Sequence, residues 1–221
     1  MIDNKLKYIR KLNFFKSLDA KDLDTVSSIS TIAKHPKNSV LYYENDTHNK
    51  LFFLVSGLLK IYKVDKFDNE IFLYHIYENS LISELTTIDE SVIHCFSNAE
   101  FLEQSIILEV DFLDLKHHFL SNNILNNEFI NEILLKTHQL HCVVNRELVF
   151  DATSKVAFML MDDLNMFNRL KRQEVSFMLH IQPETLSRVL KKLKRAEIIN
   201  VENSNIIIKD KDALKKIYKA E

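Results

Sequence analysis

The sequence has no tryptophan, one glycine, two prolines and two cysteines among its 221 residues. Each scarcity removes a class of protein. One glycine, Gly57, cannot furnish the glycine-rich loops that cradle phosphates in nucleotide-binding enzymes. Two cysteines, Cys95 and Cys142, form no disulfide framework, and one chain cannot supply with them the usual four ligands of an iron–sulfur cluster. No run of about 18 apolar residues occurs, so no membrane span is expected. The opening stretch MIDNKLKYIRKLNFF has neither the apolar core nor the small-residue cleavage site of a signal peptide, and a cytoplasmic protein is expected. No nucleophile–base pair, metal-ligand spacing or phosphate loop stands out, so an enzyme is not expected.

What is present is globular: 46% hydrophobic and 27% charged residues, enough for a core and for two domains. The net charge of −2 is unevenly placed. Residues 1–150 carry 15 Lys/Arg against 21 Asp/Glu, whereas residues 151–221 carry 14 against 10. The basic excess therefore falls in the last third of the chain, as a nucleic-acid module requires.

Residues 2–30 read as helices around Phe14-Phe15, with Asp19 capping a helix from Ala20 to about Ile29. The texture then changes to short β-rich runs: SVLYY (39–43), KLFFLVSG (50–57), LLKIYKV (58–64), EIFLYHIY (70–77) and SIILEV (105–110). Polar linkers such as ENDTHN and DKFDN supply the turns, and strands at this spacing predict a sandwich or barrel of jelly-roll type. Gly57 is expected in a tight turn or bulge between two strands. A short helix around Phe112–Phe119 precedes a long one, Asn126 to Phe150. On the long helix Ile130, Ile133, Thr137, Leu140, Val144 and Leu148 step by threes and fours, a coiled-coil-like seam suited to a second copy of the chain. Leu135, Cys142 and Val149 form another flank, one of the two flanks packing on the β domain.

A polar break, DATSK, begins at Asp151, followed by a helix over Lys155–Asn168 and a shorter one over Arg172–Leu179. After a tight turn at His180-Ile181 comes QPETLSRVLKKLKRAE (182–197). Here Leu186, Val189, Leu190 and Leu193 form a core stripe, and Glu184, Ser187, Arg188 and Lys191 repeat the same spacing on another face. Pro183 suits a first helical turn. IINVE and NIIIK flank Asn203-Ser204-Asn205 as a β-hairpin, and a last helix runs from Asp212 to about Lys219. Helix, turn, helix, hairpin is a winged helix-turn-helix.

These residues carry a family resemblance. Arg172-Gln173-Glu174 and Glu184-Thr185-Leu186-Ser187-Arg188 resemble the R-Q-E and E-T-[ILV]-[SG]-R signatures of the Crp/Fnr regulators of bacteria. KLFFLVSGLLKIYK resembles a strand pair of the family's sensor domains. The resemblance implies an α+β chain: a jelly-roll, cyclic-nucleotide-binding-like sensor domain (1–120), a dimerisation helix (121–150) and a winged helix-turn-helix (151–221), hinged at Asp151. It implies a homodimer on double-stranded DNA, with RNA polymerase as partner. Glu184, Ser187 and Arg188 match the base-reading positions: glutamate accepts from cytosine N4 and arginine donates twice to guanine. Serine between them resembles the Fnr branch, whose half-sites are of TTGAT type. Arg172, Gln173, Gln182, Thr185 and Lys191 are assigned to phosphates. His180 stands where the family usually has glycine, and histidine tolerates a positive φ if the turn needs one.

The sensor half departs from the family's ligand patterns. The cyclic-nucleotide branch has a Gly-Glu-Leu run and an Arg-Ser pair; this chain has Ser83-Glu84-Leu85, and Cys95-Phe96 falls about where the pair belongs. No side chain there neutralises a phosphate, so a cyclic nucleotide is not expected, and the Fnr branch's cysteine cluster is absent. The effector is left unknown. Haem, a diatomic gas or a redox change remain open, with His75, His94, His138 and His141 as candidate axial ligands and Cys142 as a candidate thiol switch. A structural role is the commoner one for each. A scaffold whose winged module binds protein is the competing class.

Overall fold

The computed structural model describes all residues except 1, 86, 89, 91, 220 and 221, with the backbone alone for residues 2–4. The chain divides into two compact units, Met1–Leu140 and His141–Glu221.

The first unit contains α1 (Ile2–Ile9), α2 (Ala20–Ser28), β1 (Ser30–His35), β2 (Val40–Tyr42), β3 (Thr47–His48), β4 (Lys50–Ser56), β5 (Leu58–Val64) and β6 (Glu70–Tyr77). It continues with β7 (Ser80–Leu81), β8 (Ile93–His94), β9 (Asn98–Phe101), β10 (Ser105–Asp111), α3 (Phe112–His118) and the start of α4 (Asn126–Val144). Two four-stranded antiparallel sheets result, in the orders β1-β10-β4-β7 and β2-β9-β5-β6, with β3 and β8 pairing separately. This is the expected jelly-roll. The runs read as strands become β2, β4, β5, β6 and β10. The short β1 and β9 escape a pattern reading because STIAKH and NAEF alternate too weakly; β10 and β5 pair with them and make them strands.

Why β4 reads as a continuous apolar run is visible in its two faces. Leu51, Phe53 and Val55 join a core with Phe14, Phe15, Leu23 and Val26 from the N-terminal helices and Phe112 and Phe119 beyond β10. Phe52 and Leu54 point into the other core, with Leu59, Ile61, Ile76 and Phe101. A strand covered on both sides has no solvent face to alternate with. The Phe14-Phe15 pair closes the helical side, its rings 4.9 and 5.3 Å from that of Phe53. Gly57, joining β4 to β5, has φ +109°, and a Cβ there would stand 2.9 Å from Ser105 Cα. Gly57 thus sits in the expected tight turn, and nearby the β4–β10 register slips between Ile106 and Ile107.

Along α4 the seam residues Ile130, Ile133, Thr137, Leu140 and Val144 are all exposed. Leu148 lies beyond the end of α4, in a wider π-type turn over Asn145–Val149, and is 81% exposed. The expected uninterrupted helix to Phe150 thus changes its winding at Asn145, where Phe150 N–H reaches back to the Asn145 carbonyl. The flank packed on the β-roll is not the expected one. Leu135 is 58% exposed, whereas Phe129 is buried, Glu132 accepts from Leu81 N–H at 3.3 Å and Lys136 Nζ donates to the Ile82 carbonyl at 3.2 Å. Sequence hydrophobicity misses this flank because two of its three members are charged.

The second unit comprises that turn, α5 (Ala152–Asp162), α6 (Leu164–Arg169), α7 (Arg172–Met178), α8 (Pro183–Arg195), β11 (Ile199–Glu202), β12 (Asn205–Ile208) and α9 (Lys211–Tyr218). The polar break at Asp151 shrinks to one residue, because its carboxylate caps α5 by accepting from Ser154 N–H at 2.7 Å. The expected helix over Lys155–Asn168 is two helices: Asp163 leaves helical geometry and caps α6 through Met166 N–H. Phe150, Phe158 and Tyr218 pack ring to ring at 5.4–5.8 Å and pin α9 against α5.

Candidate nucleic-acid interface

The candidate recognition surface is built on α8. Leu186, Val189 and Leu193 are buried, with Leu190 partly so. Pro183 occupies the first turn, where its missing N–H breaks no bond. With the leucine stripe fixed inward, 3.6-residue periodicity leaves Glu184, Ser187, Arg188 and Lys191 exposed along one outer face. A carboxylate in the first turn also complements the helix dipole. Gln182 is exposed at the N-cap, and Thr185 is half-buried.

The helix before it starts by a specific device. Glu174 stands at the third position of α7 and its carboxylate accepts from Lys171 N–H at 2.7 Å, satisfying a donor the helix leaves free. This is the local reason for a glutamate in the Arg-Gln-Glu run. Gln173 is exposed beside it. Arg172 does something the sequence did not announce. Its Nη2 donates to the Ser204 carbonyl at 3.0 Å and its guanidinium lies 4.8 Å over the Phe167 ring. Asn203 and Ser204 both have positive φ, the geometry of a two-residue hairpin turn, so β11 and β12 form the expected wing. Arg172 therefore ties the start of α7 to the wing tip.

The turn between α7 and α8 is left-handed at His180, with φ +50°. The imidazole Nδ1 lies 2.8 Å from Glu147 Oε2. Glu147 also accepts from Arg146 Nε at 2.6 Å and faces Lys155 Nζ at 3.6 Å. Burial alone would raise the Glu147 carboxyl, but hydrogen bonds from Arg146 and His180 outweigh it and hold the group below the usual glutamate range.

In the first unit, the Ser83-Glu84-Leu85 run and the Cys95-Phe96 segment do meet. Glu84 accepts from Phe96 N–H at 2.9 Å and from Ser97 Oγ at 2.8 Å. The donors of that loop are thus engaged by the chain's own carboxylate. No arginine occurs between Arg10 and Arg146. Lys136 faces this region from α4, and burial pushes its ammonium down to about 8 against the opposing pull of Glu84 and Glu132. Burial and Glu84 push the Cys95 thiol up to about 12, so it is a poor nucleophile. Cys142 is half-buried, and burial raises its thiol too. The histidines are scattered. His75 lies on β6 beside the rings of Phe72 and Tyr77, His94 is exposed on β8, and His138 and His141 are exposed on α4. Among the described residues no group of three or more His, Cys, Asp or Glu is placed to hold a metal ion. No helix among them is long and apolar enough to cross a membrane.

Comparison with known proteins agrees with this construction. Residues 156–217 match the family model described as the Crp-like helix-turn-helix domain. No curated protein matches the sequence. Among solved structures, FixK2 from Bradyrhizobium japonicum is 15% identical with a TM-score of 0.66, over 87% of this chain and 99% of that one. A CooA mutant from Carboxydothermus hydrogenoformans is 18% identical with a TM-score of 0.69, over 87% and 89%. CprK complexed with OCPA is 19% identical with a TM-score of 0.64, over 87% and 93%. In fold the chain is similar to these solved structures, and the similarity extends over both of its units. Its C-terminal unit is a Crp-like helix-turn-helix domain.

Proposed function

We propose that this chain is a homodimeric, sequence-specific transcription regulator that reads a TTGAT-type palindrome through Glu184, Ser187 and Arg188. The observation that carries the reading is α8 itself: one face buried through Leu186, Val189 and Leu193, the other exposing those three groups at one-turn spacing. Arg188 offers two donors to guanine O6 and N7, and Glu184 accepts from cytosine N4. Gln173, Gln182, Thr185 and Lys191 fix register on phosphates, with Arg172 acting chiefly through the wing. The exposed seam from Ile130 to Leu148 is covered by a second copy, so two recognition helices meet half-sites about one helical turn apart. RNA polymerase is the onward partner.

The controlling signal is an effector other than a cyclic nucleotide. Glu84 would repel a phosphate and already holds the Phe96 N–H and Ser97 Oγ donors, and no arginine between Arg10 and Arg146 offsets it. Haem, a diatomic gas and redox chemistry at Cys142 stay in contention for this role, and an absorption spectrum of the purified protein tests the first. Fluorescence anisotropy with the palindrome and a scrambled duplex tests DNA reading. Salt-sensitive, tighter binding to the palindrome is expected. Equal affinity at moderate salt overturns sequence-specific reading and favours a scaffold whose winged module binds protein.

A further inference from the structure

Glu147 is an odd residue to find where it is. It belongs to the π-type turn that ends the long helical segment, yet its carboxylate is directed at the helix-turn-helix. Oε2 meets His180 Nδ1 at 2.8 Å. The same oxygen faces Lys155 Nζ at 3.6 Å, and Lys155, a buried residue of α5, donates to the Leu179 carbonyl at 3.2 Å. Leu179 and His180 are the two residues by which α7 hands over to the turn before α8. One carboxylate thus holds both, the second directly and the first through Lys155. Arg146 Nε fixes the other oxygen at 2.6 Å, so the group is oriented before it reaches the turn.

A lysine with 11% side-chain exposure needs an anionic or carbonyl partner, and this one has both. Histidine at a left-handed position carries a conformational cost that glycine avoids. What the imidazole returns for that cost is a hydrogen bond glycine cannot make. His180 lies four residues before Glu184, and the backbone between them is pinned by His180 N–H to the Phe177 carbonyl and Ile181 N–H to the Ser176 carbonyl, both at 3.0 Å. A tilt of this turn is therefore a tilt of α8.

We propose that Glu147 is a positioning residue for the recognition helix: through His180 and Lys155 it ties the segment leaving the long helix to the turn that aims Glu184, Ser187 and Arg188. The inference rests on the DNA-reading function above and adds the element that sets the angle of reading. Base contacts depend on that angle far more than phosphate contacts do, because bidentate hydrogen bonds need alignment whereas charge attraction does not.

The test uses the full chain, with Glu147→Ala, His180→Gly and the double variant titrated by anisotropy against the palindrome and a scrambled duplex, alongside thermal unfolding. Glycine accepts the left-handed backbone, so His180→Gly keeps the turn and removes only the imidazole. Each single variant is expected to weaken palindrome binding about three- to tenfold, with scrambled-duplex affinity unchanged within about twofold. The double variant is expected to be no weaker than the weaker single, as for one shared interaction. Altered melting with unchanged palindrome affinity overturns the proposal, as do losses that add. Those results leave DNA reading intact, whereas wild-type protein that fails to prefer the palindrome overturns DNA reading and this proposal with it.

Discussion

The side-chain amide of Asn168 closes a two-way hydrogen bond with the backbone of Ile206: Oδ1 accepts from its N–H at 2.7 Å and Nδ2 donates to its carbonyl at 3.0 Å. Asn168 lies in the last turn of α6, and Ile206 is the buried residue of β12, so this amide fastens the wing to the helical body. Asn168→Ala leaves both backbone groups without their partner. A loss of about 2–3 kcal/mol in unfolding free energy is expected, measured by urea titration. Arg172→Ala is expected to cost less, because its guanidinium bond to Ser204 is at the exposed tip.

Base readers and phosphate binders separate by the form of their losses. Arg188→Ala is expected to lower discrimination between the palindrome and a site with its guanine replaced by about 1–3 kcal/mol. Lys191→Ala is expected to weaken binding to every duplex alike and to reduce the slope of log affinity against log salt by about one. Competition titrations at several salt concentrations distinguish the two patterns.

The exposed apolar seam predicts the state of assembly. Ile133 and Leu140 stand 38% and 54% exposed on α4. A charge placed among them by Leu140→Glu would be desolvated in a dimer without a partner. Sedimentation velocity at micromolar concentration is expected to show a dimer for the native chain and a monomer for the variant, a loss of about 2 kcal/mol or more of association free energy.

Lys136 makes stability depend on pH in a definite direction. Its ammonium is pushed down to about 8 in the folded chain from 10.5. Between those values the unfolded chain binds more protons, so folding stability rises with pH across that window and is flat, as far as this group goes, below it. Lys136→Met removes the rise. It is expected to lower stability at neutral pH by about 1–3 kcal/mol, because the Ile82 carbonyl loses its donor and Glu84 and Glu132 lose the cation that faces them. Denaturant unfolding at pH 7, 8, 9 and 10 reads both effects.

Gly57 permits no side chain. Gly57→Ala meets both a backbone φ of +109° and Ser105 Cα at 2.9 Å. We expect a loss of about 2–4 kcal/mol, seen as a lowered melting temperature of the first unit.

Much of this was legible along the chain because local rules decide it. The strand runs of β4, β5 and β6, the cap at Asp19, the leucine stripe of α8 and the Asn203-Ser204 hairpin each rest on residues within one or two turns of each other. The two stretches read as unbroken helices were interrupted by equally local features that hydrophobic spacing ignores: a capping aspartate at 163, and a wider turn from Asn145. Harder cases involved distance. The bond from Arg172 to Ser204, 32 residues away, has no mark in the sequence. Glu132 and Lys136 look like solvent-facing charges until the backbone of Leu81 and Ile82 is set against them.

By itself the sequence determined the class of the protein: a β-roll, a long helix with an apolar seam, and a winged module whose Glu184, Ser187 and Arg188 face outward. Periodicity, caps and turn residues act over a few positions and need no partner to be read. Only the tertiary structure decided that Glu84 accepts from the Phe96-Ser97 loop, that Arg172 holds the wing, and that Glu147 reaches His180. Those pairings are between polar groups far apart in the chain, and polar side chains carry no periodic mark of their partners. Their energies depend on distance and burial, which exist only once the chain has folded.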